Sequence, residues 1–433
     1  MKIFGILILA SIIFFTNCNT TEPPPADDRK LTLTFEDASC IEAWINITTE
    51  NIQLPAEINI FINDSLSQIS ILNTQDSLLY IDSLLPNKTY KLKAASIEYG
   101  VMSSEISFTT MDTTSHNFTF ETWTFGDVGS SVLYDVAIID ENNIWAVGEI
   151  NIADTSENGY TTYGATHWDG QMWSLKKLVY SDNIPVTPRG ILVVSSNEIY
   201  LASGSIFKWD GISSTVQLVF SRQNLPNPNG TIKKLWGSSN SSIYGVGNAG
   251  TIAHYNGSQW TIIESGTNLN IYDIWGEQTG DGEYEILCVA AEHFIGPERK
   301  ILSIKNNSVQ EVSTSNISVG SLYGVWFKAG RKYYVVGNGI YTKGNINNTN
   351  SWASLHNGLT PYYTYAIKGT AFNNIFICGS FGESLFFNGL SWTTFRNTPG
   401  FYDVEFYKAD IKQSIIAAVG YNGSKGFVTI GKR

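Results

Sequence analysis

The chain is 433 residues long, carries a formal net charge of -12, and is only 15% charged but 13% aromatic, with 38 Gly and 12 Pro. Few charges and many aromatics exclude disorder and coiled coil, and the density of turn-formers points to many short strands, an all-β chain. The acidic balance also excludes nucleic acid as a partner, because affinity for a phosphate backbone rests on Lys and Arg.

After Met1-Lys2 comes an apolar run from Ile3 to Phe15. It is shorter than the roughly 20 residues that cross a bilayer and suits the core of an export signal, expected over residues 1–17. The run ends in Phe15-Thr16-Asn17-Cys18, which resembles the bacterial lipoprotein box, with Phe15 and Asn17 where that box has Leu and a small residue. The resemblance implies lipid on Cys18, a membrane as partner through that lipid, and an exported, membrane-anchored lipoprotein of a bacterial envelope. Residues 18–30 include Pro23-Pro24-Pro25 and read as an extended tether. Cys40, Cys288 and Cys378 are odd in number and widely spaced, so neither a disulfide framework nor a zinc site is expected. Cys288 and Cys378 lie in apolar runs and are expected to be inert core thiols.

Residues 31–112 show short alternating strands at 31–35, 40–48, 56–62, 78–81, 90–96 and 106–110, enough for one small sandwich. The segment Leu84-Leu85-Pro86-Asn87-Lys88-Thr89-Tyr90, with Trp44 earlier, resembles the fibronectin type III domain, where Leu, Pro and Tyr at this spacing turn a corner into a strand. That resemblance implies a module that spaces or orients its neighbour.

From residue 113 to 433 the chain repeats itself. A strand such as Ile144-Trp145-Ala146-Val147-Gly148 recurs at 199–202, 243–247, 286–289, 333–337, 375–379 and 416–420. Taking 134, 189, 233, 272, 323, 365 and 402 as equivalent starts, the mean period is about 45 residues, the length of one four-stranded blade. Asp169-Gly170, Asp210-Gly211, Asn256-Gly257 and Asn388-Gly389 are expected to form two-residue type I′ turns. Trp173, Trp260, Trp352 and Trp392 mark the outermost strands. The last unit lacks an outer strand, and Phe120-Glu121-Thr122-Trp123-Thr124 is expected to supply it and close the ring. The units resemble exported propellers of the photosystem-assembly-factor, sialidase-like and kelch-like kinds. The implied fold is a seven-bladed β-propeller, closed by its N-terminal strand, after the small sandwich.

Two columns of the repeat carry chemistry. Tyr134, Arg189, Lys233, Tyr272, Tyr323, Tyr365 and Tyr402 stand at the equivalent starts and are expected to form a binding face, aromatic all round with one cationic sector suited to an acidic glycan or a protein segment. One position on, Asp135, Asp273 and Asp403 are candidate catalytic acids for a carbohydrate-active enzyme, with backbone hydrogen bonding as their structural alternative. The three converging arginines that a sialidase needs do not occur in the repeat. Histidines 116, 167, 254, 293 and 356 lack metal-ligand spacing, and there is no nucleotide-binding glycine loop, serine elbow or calcium loop, so no metal or cofactor is expected. The reading is a non-enzymatic, monomeric, membrane-tethered binding lipoprotein. A glycosidase or glycosyl-transferring propeller and a protein-assembly scaffold are the alternatives.

Overall fold

The computed structural model describes residues 28–292, 296–317, 320–346, 351–355 and 359–433. The expected export signal, Cys18, His293 and His356 therefore lie outside the described residues. The chain is all-β and divides into two compact units.

The first unit holds two sheets. Lys30–Ala38, Ala43–Glu50 and Asp76–Ile81 form one, and the other is built on Ala56–Ile62 and Thr89–Ser96. Alternation puts Ile45, Ile47, Ile58, Ile60 and Leu92 inside, all fully buried, while Trp44, on the other face of its strand, is covered in part by Tyr80. Sequence reading missed Ser65–Leu72, which pairs with Ala56–Ile62 through the two-residue turn Asn63-Asp64. Both turn residues have positive φ, 49° and 63°, so a type I′ hairpin is present here without any glycine to advertise it.

The second unit holds seven four-stranded antiparallel sheets among its described residues. Their first strands are Val132–Asp140, Gly190–Ser195, Thr231–Ser239, Asn270–Gln278, Leu322–Lys328, Thr364–Ala371 and Glu405–Lys412. Each first strand lies against that of the next sheet, and the seventh lies against the first, so the sheets make a ring. Every interface between successive sheets has its own apolar cluster. Sheets three and four share Trp236, Val246, Ile274 and Cys288, for example, while sheets seven and one share Val419, Val428, Leu133 and Ile144. The fourth strand of the seventh sheet is Thr119–Phe125, paired with Lys425–Lys432 from Thr119↔Lys432 to Phe125↔Gly426.

The Asp-Gly and Asn-Gly turns differ from expectation. Trp168 pairs with Trp173, Tyr255 with Trp260 and Phe387 with Trp392, which leaves four residues in each loop rather than two. Only the glycine has positive φ, and the preceding side chain does the rest: Asp169 Oδ1 accepts hydrogen bonds from the backbone N–H of Gln171 and Met172, and Asn256 Oδ1 does so from Ser258 and Gln259. The carboxylate or amide oxygen thus stands in for a ladder carbonyl, which lets a longer loop stay ordered.

Cys40, Cys288 and Cys378 are buried free thiols, and burial pushes the Cys378 thiol up to about 12.

Candidate ligand-binding site

The first strands of six sheets share one irregularity. In sheet one the register steps from Leu133↔Gly148 to Asp135↔Val147, leaving Tyr134 as the extra residue of a β-bulge. Lys233, Tyr272, Tyr323, Tyr365 and Tyr407 are the extra residues of sheets three to seven. A bulge turns its extra residue out of the sheet's alternation, here towards one mouth of the ring. In five of the six a glycine on the neighbouring strand makes room for it, and in sheet four Ala290 stands in that place. A Cβ on Gly148, Gly247, Gly337, Gly379 or Gly420 would lie within 2.0 Å of a backbone carbonyl oxygen just before the bulge. In those five sheets the strand glycine and the bulged residue are two halves of one device. Sheet two lacks the bulge, and Arg189, immediately before its first strand, donates its backbone N–H to Ala202 O at 2.7 Å.

These residues line a cavity of about 710 Å³. Of the expected binding residues, Tyr134, Arg189, Lys233, Tyr272, Tyr323 and Tyr365 all line it. Tyr402 does not. It is 66% exposed before the seventh sheet begins, and Tyr407 takes the equivalent place in the cavity wall.

The wall is continuous. The Tyr272 ring meets Tyr323 edge-on at 4.8 Å, Tyr323 meets Tyr365 edge-on at 5.2 Å, Tyr365 neighbours Tyr407 at 6.2 Å, and Tyr407 stacks with Tyr134 at 6.1 Å. The Arg189 guanidinium lies 4.1 Å over the Tyr134 ring. Lys233 completes the circle, half-buried, and burial followed by the neighbouring Arg189 charge lowers its pKa. Among the described residues neither cation forms an ion pair with an acid. Glu405 also lines the cavity, and its carboxyl is pushed up by burial.

Beneath the aromatic wall lies a charged floor. Lys234 donates to Asp135 Oδ2 at 2.7 Å, and both residues are buried. Asp135 also accepts the backbone N–H groups of Ile191 and Val136 at 3.1 Å. Lys408 reaches from sheet seven to 3.3 Å from Asp273 Oδ1 and to 3.4 Å from the carbonyl oxygens of Tyr272 and Tyr323. Burial would raise the Asp273 carboxyl, but the ammonium groups of Lys408, Lys368 and Lys234 outweigh it and hold it below the usual range. Lys368 sits 4.5 Å over the Trp275 ring, and burial lowers its pKa to about 8. Burial raises the nearby Asp410, whose oxygens accept backbone N–H bonds from Ile138 and Ile411.

The three candidate acids thus have different fates. Asp135 and Asp273 are at most 1% exposed and face lysines and backbone donors rather than the cavity. Asp403 is exposed in the loop before the seventh sheet, and Lys408 occupies the column position assigned to it. A glycosidase needs two carboxylates free to flank a scissile bond, and no such pair of column acids faces this cavity. Lys234 is visible in the sequence as a member of the aspartate column, whereas sequence reading missed Lys368, Lys408 and Asp410 and the network that the four form. Two of them, Lys234 and Lys408, stand in the same column as the aspartates, and that was the available signal. His167 and His254 stack on Trp145 and Tyr244 away from the cavity. No group of three or more potential metal ligands occurs among the described residues.

No protein-family model and no curated protein matches the chain. Among solved structures, it resembles one described as YCF48 bound to D1 peptide, with 16% identity over 74% of this chain and 99% of that one, and a TM-score of 0.54. It also resembles a catalytically inactive virginiamycin B lyase from Staphylococcus aureus with quinupristin, at 11% identity, 72% and 99% coverage and a TM-score of 0.53. The WD40 repeats of RRP9 match at 8% identity, 72% and 97% coverage and a TM-score of 0.50. At such identities the likeness shows the fold, and the ring of four-stranded sheets is a β-propeller.

Proposed function

We propose that this protein is an envelope-tethered binding lipoprotein: lipid at Cys18, a tether over 18–30, a fibronectin type III-like module over 31–112, and a seven-bladed propeller over 113–433. Its ring is closed by the N-terminal strand, and its aromatic cup binds a protein or glycan partner without chemistry. One observation carries the reading. Arg189 and Lys233 are adjacent cations at a Tyr-lined cavity, and no described acid is paired with either. Two like charges held together cost free energy that a bound anion relieves, and an Arg stacked on a ring leaves its N–H edge available to a carboxylate. The peptide seen on the YCF48 propeller supports a polypeptide as the kind of ligand such a fold accepts.

Arg189→Glu is expected to weaken binding in pull-downs and on glycan arrays with no change in melting temperature, and binding indifferent to it would move the site off the cup. Cys18→Ser is expected to release the protein into the soluble fraction. A variant that stays with the membrane would remove the lipid from this account.

A further inference from the structure

The loop from Ser380 to Gly382, after the second strand of sheet six, holds Phe381 at φ 56°, ψ 38°. The other non-glycine residues with positive φ among those described are Asn, Asp, Ser, Ala and Gln, for which this region costs little or moderately. For an aromatic residue it is an outlier, and such strain persists only where the surroundings over-determine it. They do so here. Gly382 N–H donates to Val404 O at 2.7 Å, Ser380 N–H to Tyr363 O at 2.9 Å, and Arg396 Nε to Phe381 O at 3.0 Å. The turn itself sets the backbone, since Ala249 in the corresponding turn of sheet three has φ 53°, but an aromatic residue at this position does not serve packing, because Phe381 is 53% exposed and its ring projects at the edge of the cup.

Phe381 is one part of a built cluster. Its ring lies 5.4 Å from that of Tyr362, and the Arg396 guanidinium lies over both Tyr362 at 4.4 Å and Tyr402 at 5.1 Å. Tyr402, displaced from the Tyr column, is thus part of an exposed aromatic and cationic lip beside the cup. The packing of the propeller does not call for two large exposed aromatics, Phe381 and Tyr402, on either side of an arginine at the mouth of its cavity.

We infer that this lip is a second subsite, continuous with the cup, for an extended acidic polypeptide segment whose carboxylate meets Arg189 and Lys233 and whose apolar side chain packs on Phe381. The inference rests on the cup being the binding site. Charge complementarity argues for acids, with cations at both ends of the path. A polypeptide is favoured over an acidic glycan because sugar stacking needs open ring faces. In the cup Tyr272, Tyr323 and Tyr365 pack against one another nearly at right angles, and Tyr323 is only 5% exposed, so the row offers little open ring face. A peptide brings carboxylates and apolar side chains in alternation, which matches cationic cup and aromatic lip together.

The test uses the full-length protein and three fluorescein-labelled probes: an octapeptide of alternating Glu and Phe, one of alternating Glu and Ala, and an octamer of galacturonate. The expected result is tighter binding of the Glu/Phe probe by about tenfold, in the range of one well-packed aromatic contact. Phe381→Gly should abolish that preference. Glycine accepts positive φ without strain, so this variant should melt no lower than the wild type, and a clear fall in melting temperature would mark Phe381 as structural and overturn the inference. Equal binding of the two peptides overturns the lip while leaving the cup intact. Preference for galacturonate, lost in Arg189→Glu, overturns the polypeptide but keeps the cup. Binding of any probe that ignores Arg189→Glu, or binding of none, overturns both.

Discussion

Lys234 of sheet three donates a 2.7 Å hydrogen bond to Asp135 of sheet one, passing the end of sheet two, whose Ile191 N–H is bound by the same carboxylate oxygen. One aspartate therefore ties three successive sheets together at the floor of the cup. Their contact and the backbone donors offset the desolvation of the two charges. Removing one partner leaves the other buried and alone.

Asp135→Ala is expected to destabilise the protein by about 3–5 kcal/mol, the usual cost of stranding a buried charge. The double variant Asp135→Leu with Lys234→Met should recover part of this, since it strands no charge and loses only the backbone hydrogen bonds. Urea unfolding midpoints of the two variants make the comparison. A double variant as unstable as the single one would show that the backbone contacts, not the ion pair, matter.

Lys368 gives the opposite sign. Its folded pKa of about 8 lies below the ordinary 10.5, so protonating it in the folded state is unfavourable, fully so below about pH 8 and not at all above about pH 10.5. The unfolded chain binds the extra proton between those limits, and the contribution of this group to stability rises with pH there. Lys368→Met is expected to raise the melting temperature at pH 7 and to lose that advantage by pH 10.5. The shift sets an upper limit of roughly 3 kcal/mol on the gain, reduced by the lost attraction to Asp273. Melting curves across pH 7 to 10.5 check both the sign and the window.

Thr119–Phe125 supplies the fourth strand of the seventh sheet. A chain beginning at residue 130 should lose cooperative unfolding or aggregate, because the Lys425–Lys432 strand becomes an open edge and Trp123 no longer packs on Trp168 and Trp173. A chain beginning at residue 113 should unfold in one step. Calorimetric traces that coincide would remove this strand from the account of stability.

Gly276 is where sheet four receives Trp236 from sheet three. A Cβ there would lie 2.3 Å from the indole. Gly276→Ala must displace a rigid ring that is only 9% exposed, so a loss of about 1–3 kcal/mol is expected, visible as a lower denaturation midpoint without loss of fold.

The Tyr column was legible because each Tyr sits in the same bulge of a repeated unit, and a period is the signal that survives without knowledge of packing. From Tyr134, Lys233, Tyr323 and Tyr365 to Gly148, Gly247, Gly337 and Gly379 the interval is 14 residues. Counting back from Gly420 by that interval lands beside Tyr407. Tyr402-Asp403 imitates the Tyr-Asp pair of sheets one and four but stands too far upstream, so spacing to the strand glycine, rather than residue identity, marks the bulge. The type I′ turns failed for a related reason. Asp-Gly is a hairpin signal, but where Asp accepts two backbone N–H bonds ahead of it, the glycine serves a longer loop. The charged floor needs contacts between sheets one, three, four, six and seven, far apart in sequence, and the turn that carries Phe381 recurs in sheet three as Gly247-Asn248-Ala249-Gly250, with a different residue at the exposed position. Neither the floor nor the aromatic residue of the lip leaves a periodic trace.

The buried lysines and aspartates under the Tyr ring also decide how traffic through the molecule runs. Lys408 stretches from sheet seven to the carbonyls of sheets four and five, and Lys368 from sheet six to Trp275 of sheet four, so side chains cross the middle of the ring. A vessel with a bottom differs from a tube. A ligand held in the cup as proposed would have to leave past the Arg396 and Phe381 lip if these crossing side chains bar the way beneath, and its residence time would then be governed at a single doorway.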